Sequence, residues 1–138
     1  VVILDAVGHI EAIGLGEMLA RSGRTAIVVT PVPTPMLLDR ETVGYALPRA
    51  VQAGMVWRPN TALGLIGDRE VIVADAFSRQ PETIPVDHVV IRTHGLPDDA
   101  LYFALEGRVP ELHRIGDSVA VRFADRAIFD GHTAGRRL

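Results

Sequence analysis

The residues best suited to chemistry lie in a glycine-bearing turn near the start of the chain. An apolar run, VVILD (residues 1–5), leads into Gly8 and His9, and apolar residues at helical spacing begin at Ile10. A turn of this kind presents backbone N–H groups that can hold a diphosphate at the start of the helix. Gly8 and His9 are therefore candidate contacts to a nucleotide.

The spacing of the glycines departs from the dinucleotide pattern G-x-G-x-x-G, in which each glycine has its own steric reason. A register that begins at Gly8 places Ile10 and Ile13 at the second and third positions, and one that begins at Gly14 places Leu19 third. Two interpretations stay open. One is a Rossmann-like unit whose binding loop is vestigial, and the other is a working NAD(P) site.

Nearby charges and the second strand both weigh against a tight site. Asp5 and Glu11 flank the turn, where their carboxylates would oppose a bound anion. NAD-binding domains usually end their second strand with an acid, and NADP-binding domains have an arginine nearby. The second predicted strand, TAIVVT, instead ends at Thr30, which is a candidate contact, and the loop PVPTP follows it.

The elements around this turn predict a parallel α/β core. A helix over residues 10–22 joins two buried strands, which makes a βαβ unit with a right-handed crossover. Asp39 is expected to cap a second helix that runs to about residue 53, with Pro48 kinking or splitting it. MVWRP then reads as a third short strand.

The next segment has a different pattern. TALGLI and EVIVADAF flank a turn at residues 67–69, which predicts an antiparallel hairpin. SRQPET is expected to be a turn, VDHVVIRT and ELHRIGD to be strands, and PDDALYFALEG and residues 123–137 to be helices. The predicted fold class is α/β, a Rossmann-like three-layer (FAD/NAD(P)-binding) domain with a parallel βαβ core and an antiparallel meander. That combination resembles the nucleotide-binding domains of flavin-dependent disulfide-reductase-like proteins.

Composition limits the other classes of function. The 138 residues are 48% hydrophobic and 22% charged, with a net charge of −3 and no cysteine. The negative charge gives no electrostatic reason to expect nucleic acid or an anionic membrane as a partner. Without cysteine this chain cannot supply thiolate ligands, a disulfide or a cysteine nucleophile. We expect a cytoplasmic protein.

Three stretches resemble one family of flavoproteins. They are VVILDAVGHIEAIGLGEMLARSG, VVIRTHGLPDDALYFAL and RIGDSVAVRFADRAIFDGHTAGR, and the last is similar to a tail pattern, I-G-D-x-x-A-x-R-x-x-A-D-A-x-x-x-G-H. The family is that of trimethylamine dehydrogenase and 2,4-dienoyl-CoA reductase, and the resemblance is to its C-terminal nucleotide-binding-like region. This chain departs from the family in having Arg126 inserted after Asp125, Val121 in place of proline, and His94–Gly95 where the family often has Gly-Arg.

The resemblance implies a fragment of an oxidoreductase. An N-terminal barrel with FMN and a 4Fe–4S cluster would precede this chain, and it would oxidise amines or reduce enoyl or enone substrates. A chain that begins inside an apparent strand agrees with a fragment, and a mature processed protein is the alternative. Residues 1–97 would form a small NAD(P)-binding-like domain, and residues 98–138 would return to a neighbouring FAD/ADP-binding-like domain.

The same resemblance supplies further candidate cofactor contacts. They are Gly95, Gly116 and Asp117, and the candidate cofactors are ADP, FAD or NAD(P)H. The expected partners are the missing barrel and FAD/ADP domain, together with a homo-oligomer. The fragment itself would be inactive, and a functional nucleotide-binding module and a structural or oligomerisation domain are the alternatives.

The remaining polar residues suggest no chemistry of their own. The five histidines lack the close spacing of metal ligands, so we predict no metal site. Ser118 is not in a nucleophile elbow, because the pattern G-x-S-x-G is absent. Asp125 and Asp130 are expected on a solvated helix face. We therefore assign no catalytic residue.

Overall fold

The computed structural model describes residues 1–33, 35 and 39–138. They form two compact units, a first unit of Val1–Thr93 and a second unit of His94–Leu138. The assignment of residues 98–138 to a neighbouring FAD/ADP-binding-like domain stays a prediction.

The described elements follow the order expected of an α/β domain. The strands are β1 (Val2–Asp5), β2 (Ile27–Val29), β3 (Val56–Arg58), β4 (Thr61–Ile66), β5 (Glu70–Asp75), β6 (Pro81–Pro85) and β7 (Val89–Arg92). The helices are α1 (Ile10–Arg21), α2 (Arg40–Gln52), α3 (Ala100–Leu105) and α4 (Ala124–Gly135), with a 3₁₀ turn at Gly116–Ser118.

A parallel sheet is the centre of the first unit. Its strand order is β3-β2-β1-β7, and each neighbouring pair is parallel. The chain leaves β1 toward β2 and β3 and then returns to the other side of β1 as β7. The order therefore reverses beside β1, and open α/β sheets bind ligands in the crevice at such a point.

Two apolar clusters cover the two faces of this sheet. Ile3 and Val28 pack with Ile13 of α1, Ala46 and Ala50 of α2, and Met55. The opposite cluster comprises Val2, Leu4, Val29, Val71, Val73, Ile84 and Val86. The second cluster joins the parallel sheet to the antiparallel sheet β4-β5-β6. The layers are helices, parallel sheet and meander, which confirms the predicted fold class.

Pro48 was expected to kink or split the second helix, and the helix is not split. Helix α2 continues from Arg40 to Gln52 with Pro48 inside it, and Asp39 caps its start by accepting a hydrogen bond from the Thr42 N–H. A proline at this position cannot donate to the Gly44 carbonyl four residues earlier. Gly44 and Pro48 are exposed, so water can bind that carbonyl, while Ala46 and Ala50 hold the other face of the helix in the core.

Two strand predictions also need correction. The segment PET was expected in a turn, but β6 begins at Pro81 and ends at Pro85, and it pairs with β5. Prolines are tolerated in β6 because it is an edge strand. Only one of its sides pairs with another strand, so the absence of a proline N–H breaks no bond on the open side. The expected strand in ELHRIGD does not form. Residues 111–115 have no strand partner among the described residues, and an extended segment needs a neighbouring ladder to satisfy its backbone.

Candidate nucleotide-binding site

The turn after β1 uses its N–H groups internally. Gly8 has a φ of +72°, which is the left-handed conformation that glycine adopts without strain. Asp5 lies directly behind it, and its Oδ1 accepts hydrogen bonds from the Val7 N–H at 3.0 Å and the Gly8 N–H at 2.9 Å. A carboxyl group of the protein thus takes the two backbone donors that a bound diphosphate would need.

The other oxygen of the same carboxyl has no such partner. Asp5 is 1% exposed, and its Oδ2 is buried without a hydrogen bond to any of the described residues. An unsatisfied buried polar atom typically costs about 1–3 kcal/mol. The two hydrogen bonds to Oδ1 hold the Asp5 side chain in a position where Oδ2 has no partner among the described residues.

The first turn of α1 carries a second carboxylate. Glu11 Oε2 lies 2.5 Å from His9 Nδ1, and Glu11 Oε1 accepts from Arg92 Nη2 at 3.2 Å. Burial opposes ionisation of Glu11, but hydrogen bonds from its own backbone N–H, from His9 and from Arg92 together hold its pKa below the usual 4.5. Because Arg92 ends β7, this ion pair crosses the point where the strand order reverses.

The close packing that the third glycine of the motif normally permits is provided by Gly16, about one helical turn later. Ile13, at the third position, is fully buried in the core. Gly16 instead allows the close approach, because a Cβ at this residue would collide with Met55 Sδ and lie 3.1 Å from Val28 Cγ2. Helix and strand therefore pack closely through Gly16, without a glycine at the third position of the motif.

Thr30 has a structural role in this chain. It is fully buried, its N–H donates to the Arg58 carbonyl at 3.0 Å, and its carbonyl accepts from the Thr61 N–H at 2.9 Å. Its hydroxyl oxygen accepts from the Val32 N–H at 3.3 Å. Thr30 thus links β2, β3 and the start of the meander, and its side chain is not presented to a ligand.

A cleft of about 280 Å³ lies beside Asp5, at the carboxyl ends of the parallel strands. The strands β1, β2, β7 and β4 contribute its walls. The lining residues are Leu4, Asp5, Ala6, Val29, Pro31, Thr61, Ala62, Leu63, Ile91 and Thr93. The cleft is mostly apolar, and it has no cationic side chain among these residues.

The second unit contains the other three predicted contacts. Gly116 has a φ of +61°, and its N–H donates to Asp130 Oδ2 at 3.1 Å. Asp130 also pairs with Arg122, whose backbone N–H donates to Asp117 Oδ1 at 3.2 Å. A Cβ on Gly95 would come within 3.1 Å of a Val121 methyl group, so Gly95 is needed for close packing.

Asp130 was predicted on a solvated helix face, and its side chain is 22% exposed but makes two polar contacts that the prediction did not include. It holds both the Gly116 backbone and the Arg122 guanidinium. Helical spacing could not reveal this role, because its partners lie in an irregular segment before the helix. Asp125 is 71% exposed at the side chain, and its contact is to the adjacent Arg126 at 3.6 Å.

The described residues were also compared with the requirements of a metal site and of a membrane-spanning helix. Within residues 1–33, 35 and 39–138, no group of three or more His, Asp or Glu side chains is arranged to hold a metal ion. None of the helices in those ranges combines the length and the apolar character that crossing a bilayer requires.

The fold of the chain is similar to part of a flavoprotein reductase. A flavoprotein disulfide reductase from Escherichia coli superposes over 99% of this chain with a TM-score of 0.63 and 14% identity, and the match covers 35% of that protein. No protein-family profile matches the sequence, and no curated protein matches it.

Three further solved structures are similar to this chain over nearly its whole length. Histamine dehydrogenase from Rhizobium sp. 4-9 matches 99% of the chain with a TM-score of 0.89 and 22% identity. 6-Hydroxypseudooxynicotine amine oxidase from Pseudomonas geniculata N1 gives 0.90 and 26%, and 2-naphthoyl-CoA reductase gives 0.82 and 25%, each over 99% of the chain. The resemblance to the trimethylamine dehydrogenase and 2,4-dienoyl-CoA reductase family is confirmed over the whole chain. The chain spans 21–22% of the length of these three structures.

Proposed function

We propose that this chain is a nucleotide-binding-like part of a larger flavin-dependent oxidoreductase and that it does not bind a dinucleotide itself. Its role is to support an N-terminal FMN and iron–sulfur barrel that oxidises amines or reduces enoyl or enone substrates. Two of the similar solved structures are an amine oxidase and a CoA reductase, which supports amine oxidation or enoyl reduction as the reaction of the whole protein.

The observation that carries the proposal is the bond between Asp5 and the turn. Its Oδ1 already accepts from the Val7 and Gly8 N–H groups, and Glu11 adds a carboxylate at the start of α1. The positive end of a helix attracts an anion, so a carboxylate in that position takes the place of phosphate. The residues present therefore do not fit the diphosphate of NAD(P)H.

The second unit supports a role within a larger protein. Among its residues, all of which the structure describes, only Gly116 is buried. Several large apolar side chains are mainly exposed, among them Leu96, Leu101, Phe103, Ile128 and Phe129. Apolar surface of this extent usually marks an interface. We propose that the missing FAD/ADP-binding-like domain or barrel covers it, and that FAD or ADP binds in the neighbouring domain with Gly116 and Asp117 at its edge.

A titration with ADP, NADH and NADPH tests the proposal. We expect millimolar or weaker binding of all three and no shift of the Val7 and Gly8 amide resonances in NMR spectra. Micromolar binding that shifts these two resonances would contradict the proposal and favour the alternative of a functional nucleotide-binding module.

Two variants sharpen this titration. Asp5→Ala combined with Glu11→Gln removes both carboxylates from the seat, and we expect a measurable gain in ADP affinity. Asp75→Ala combined with Glu70→Gln is the matched control, because it removes the same number of carboxylates and Asp75 Oδ1 also accepts from two turn amides, those of Phe77 and Ser78, at 3.0 and 2.7 Å. The same gain in the control would show that general charge, and not the seat, governs binding.

The gene provides an independent test of the parent enzyme. We expect the reading frame to continue upstream through a barrel with a cluster motif of the C-x-x-C-x-x-x-C type. A short reading frame that encodes only this chain would rule out the fragment.

A further inference from the structure

We propose that residues 111–115 of the second unit are a strand that pairs with a parallel sheet in the part of the parent protein outside this chain. The segment supplies an interaction surface made of backbone hydrogen bonds, in addition to the exposed apolar side chains of the unit. This inference rests on the proposed function in one respect, since it requires a parent protein longer than this chain.

The backbone of the segment is the first reason. Residues 111–115 contain no helix, turn or bend, and Ile115 has the extended angles φ −139° and ψ 164°. Glu111 and His113, two residues apart, contact each other at 2.7 Å between Oε1 and Nε2, as side chains on one face of an extended chain can. None of the five N–H groups donates to a described residue, and the Ile115 carbonyl alone accepts a bond, from the Ser118 hydroxyl at 2.7 Å. Consecutive free backbone groups of this kind are a template for pairing with another strand.

Helices beside the segment are the second reason. Arg114 lies over two rings of α3, with its guanidinium carbon 5.4 Å from the centroid of Tyr102 and 5.6 Å from that of Phe103. Ile115 lies beside α4, where its Cδ1 is 4.0 Å from the position of a Cβ on Gly131. Successive side chains of a strand point to opposite faces, so each face of the segment has a helix next to it. Strands of a parallel sheet are covered by helices in this way.

The first unit contains a similar segment that does have neighbours, and this is the third reason. There β1 leads through Gly8, with a φ of +72°, into α1, and β1 pairs in parallel with β2 and with β7. In the second unit, residues 111–115 lead through Gly116, with a φ of +61°, toward α4. A strand that is followed by a crossover helix belongs to a parallel sheet. We therefore expect the missing neighbours of residues 111–115 to be parallel strands.

A sheet of the parent protein fits this segment better than a second copy of the chain does. Two copies related by a twofold axis would pair residues 111–115 with the same residues of the partner, and such pairing is antiparallel. The chain spans 21–22% of the length of the three similar solved structures, so a parent of that length has most of its residues outside this chain. The exposed Ile128 and Phe129 of α4 supply apolar surface that the same contact can cover.

Amide hydrogen exchange at residue resolution tests the pairing without any substitution. We would compare the 138-residue chain with the whole protein that its gene encodes. In the chain alone, the amides of residues 111–115 should exchange near their intrinsic rates at every protein concentration. In the whole protein, their exchange should be at least about a hundredfold slower, because a ladder must open before its amides exchange.

The amides of β5 are the control, since β5 pairs on both sides within this chain and should be protected in both samples. Equal exchange of residues 111–115 in the chain and in the whole protein would overturn the proposal. Protection in the chain alone that increases with its concentration would also overturn it, because that result identifies a second copy as the partner.

Proline substitutions test the ladder itself in the whole protein. Leu112→Pro and His113→Pro each remove one N–H, and the N–H groups of successive strand residues point to opposite edges. Both variants should lose at least about tenfold of the protection of the segment if strands lie on both sides, and one of them should if a strand lies on one side. Asp98→Pro is the matched control, because Asp98 is exposed and its N–H donates to no described residue. Unchanged protection in both segment variants would overturn the ladder, and the unsubstituted comparison decides the question where a variant fails to fold.

The outcomes keep this inference apart from the proposed function. A reading frame that encodes only this chain would refute the parent protein and its sheet together. A longer protein in which residues 111–115 exchange freely would refute the strand alone. ADP-dependent shifts at Val7 and Gly8 would refute the excluded diphosphate seat and leave the exchange of residues 111–115 unaffected.

Discussion

The two units of this chain differ in how they are held together. The first unit has an apolar cluster on each face of its parallel sheet, with Ile3, Ile13 and Val28 fully buried. The second unit has no buried apolar side chain among its residues 94–138. A core of buried apolar groups is the main source of folding free energy, so only the first unit contains what an independent domain needs.

Local polar contacts replace a core in the second unit. Arg114 donates to Asp99 at 2.8 Å and lies over the Tyr102 ring at 5.4 Å. Asp130 and Arg122 hold the Gly116 turn in the same way. Contacts of this kind fix local geometry, but partly exposed ion pairs contribute little stability. The comparison shows that the geometry of the second unit is fixed by local polar contacts and that a buried apolar core is confined to the first unit.

The largest expected effect comes from matched isoleucines on two helices. Ile13→Ala in α1 leaves a cavity in the core and should lower the free energy of unfolding by about 2–5 kcal/mol. Ile128→Ala in α4 removes a side chain that is 71% exposed, and a change below about 0.5 kcal/mol is expected. Denaturant unfolding of the first unit measures the effect of Ile13→Ala, and amide hydrogen exchange of α4 measures the effect of Ile128→Ala. Similar losses at both positions would refute the contrast between the units.

A pair of helical glycines gives the next largest effect. Gly16→Ala forces a methyl group against Met55 and Val28, and overpacking of about 1–3 kcal/mol outweighs a gain in helix propensity of about 1 kcal/mol. Gly131→Ala in α4 places its Cβ 4.0 Å from the Ile115 side chain, an ordinary contact, so α4 should gain up to about 1 kcal/mol. Thermal unfolding of the first unit should show destabilisation by Gly16→Ala, and amide exchange of α4 should show stabilisation by Gly131→Ala. Stabilisation by Gly16→Ala would mean that Met55 moves freely and that the helix does not need this glycine.

The pattern of apolar residues was sufficient to predict the core of the first unit. Buried runs such as VVIL and TAIVV, with helical spacing between them, predict β1, α1 and β2, because the periodicity of apolar residues can be read within each short segment. The strand β6 could not be found in this way, since Pro81 and Pro85 argue against a strand unless its edge position is known.

The candidate site was harder to predict than the fold. Sequence showed that Asp5 and Glu11 would oppose an anion, but not that Asp5 bonds the turn amides or that Arg92 reaches Glu11. Glu11 and Arg92 are 81 residues apart in the chain, and only the return of β7 beside β1 brings them together. The Asp130 contact was missed because it depends on an irregular segment without periodicity.

A smaller effect concerns the two ion pairs of Glu17, one within α1 and one from α1 to α2. Glu17 accepts from Arg21 and from Arg49, each at 2.9 Å, and these bonds outweigh burial and hold its pKa below the ordinary value of 4.5. A lowered pKa in the folded state means that this stabilisation is present above pH 4.5 and is lost as the pH falls through the folded-state pKa. Glu17→Gln should therefore be less stable than the parent at pH 7, with the difference shrinking in acid.

The second unit supplies the control for this pH dependence. Glu106 is exposed and contributes to no buried contact, so Glu106→Gln should leave the unfolding curve unchanged from about pH 3 to about pH 7, the range over which glutamates usually titrate. Denaturant titrations over that range measure both variants. A parallel loss of stability at all pH values in Glu17→Gln would indicate lost packing and not lost ionisation.

The smallest and most local effect is expected at Asp130. Asp130→Asn keeps the size of the side chain but removes the charge that pairs with Arg122, and only its amide oxygen, a weaker acceptor than the carboxylate, can accept from the Gly116 N–H. Because no core of the second unit depends on this contact, the unfolding of the first unit should not change, whereas exchange of the Gly116 amide should rise several-fold. Asp125→Asn, at an exposed position of the same helix, should leave that amide unaffected. A global loss of stability in Asp130→Asn would show that the second unit has a cooperative structure of its own and would remove the reason to expect a covering surface.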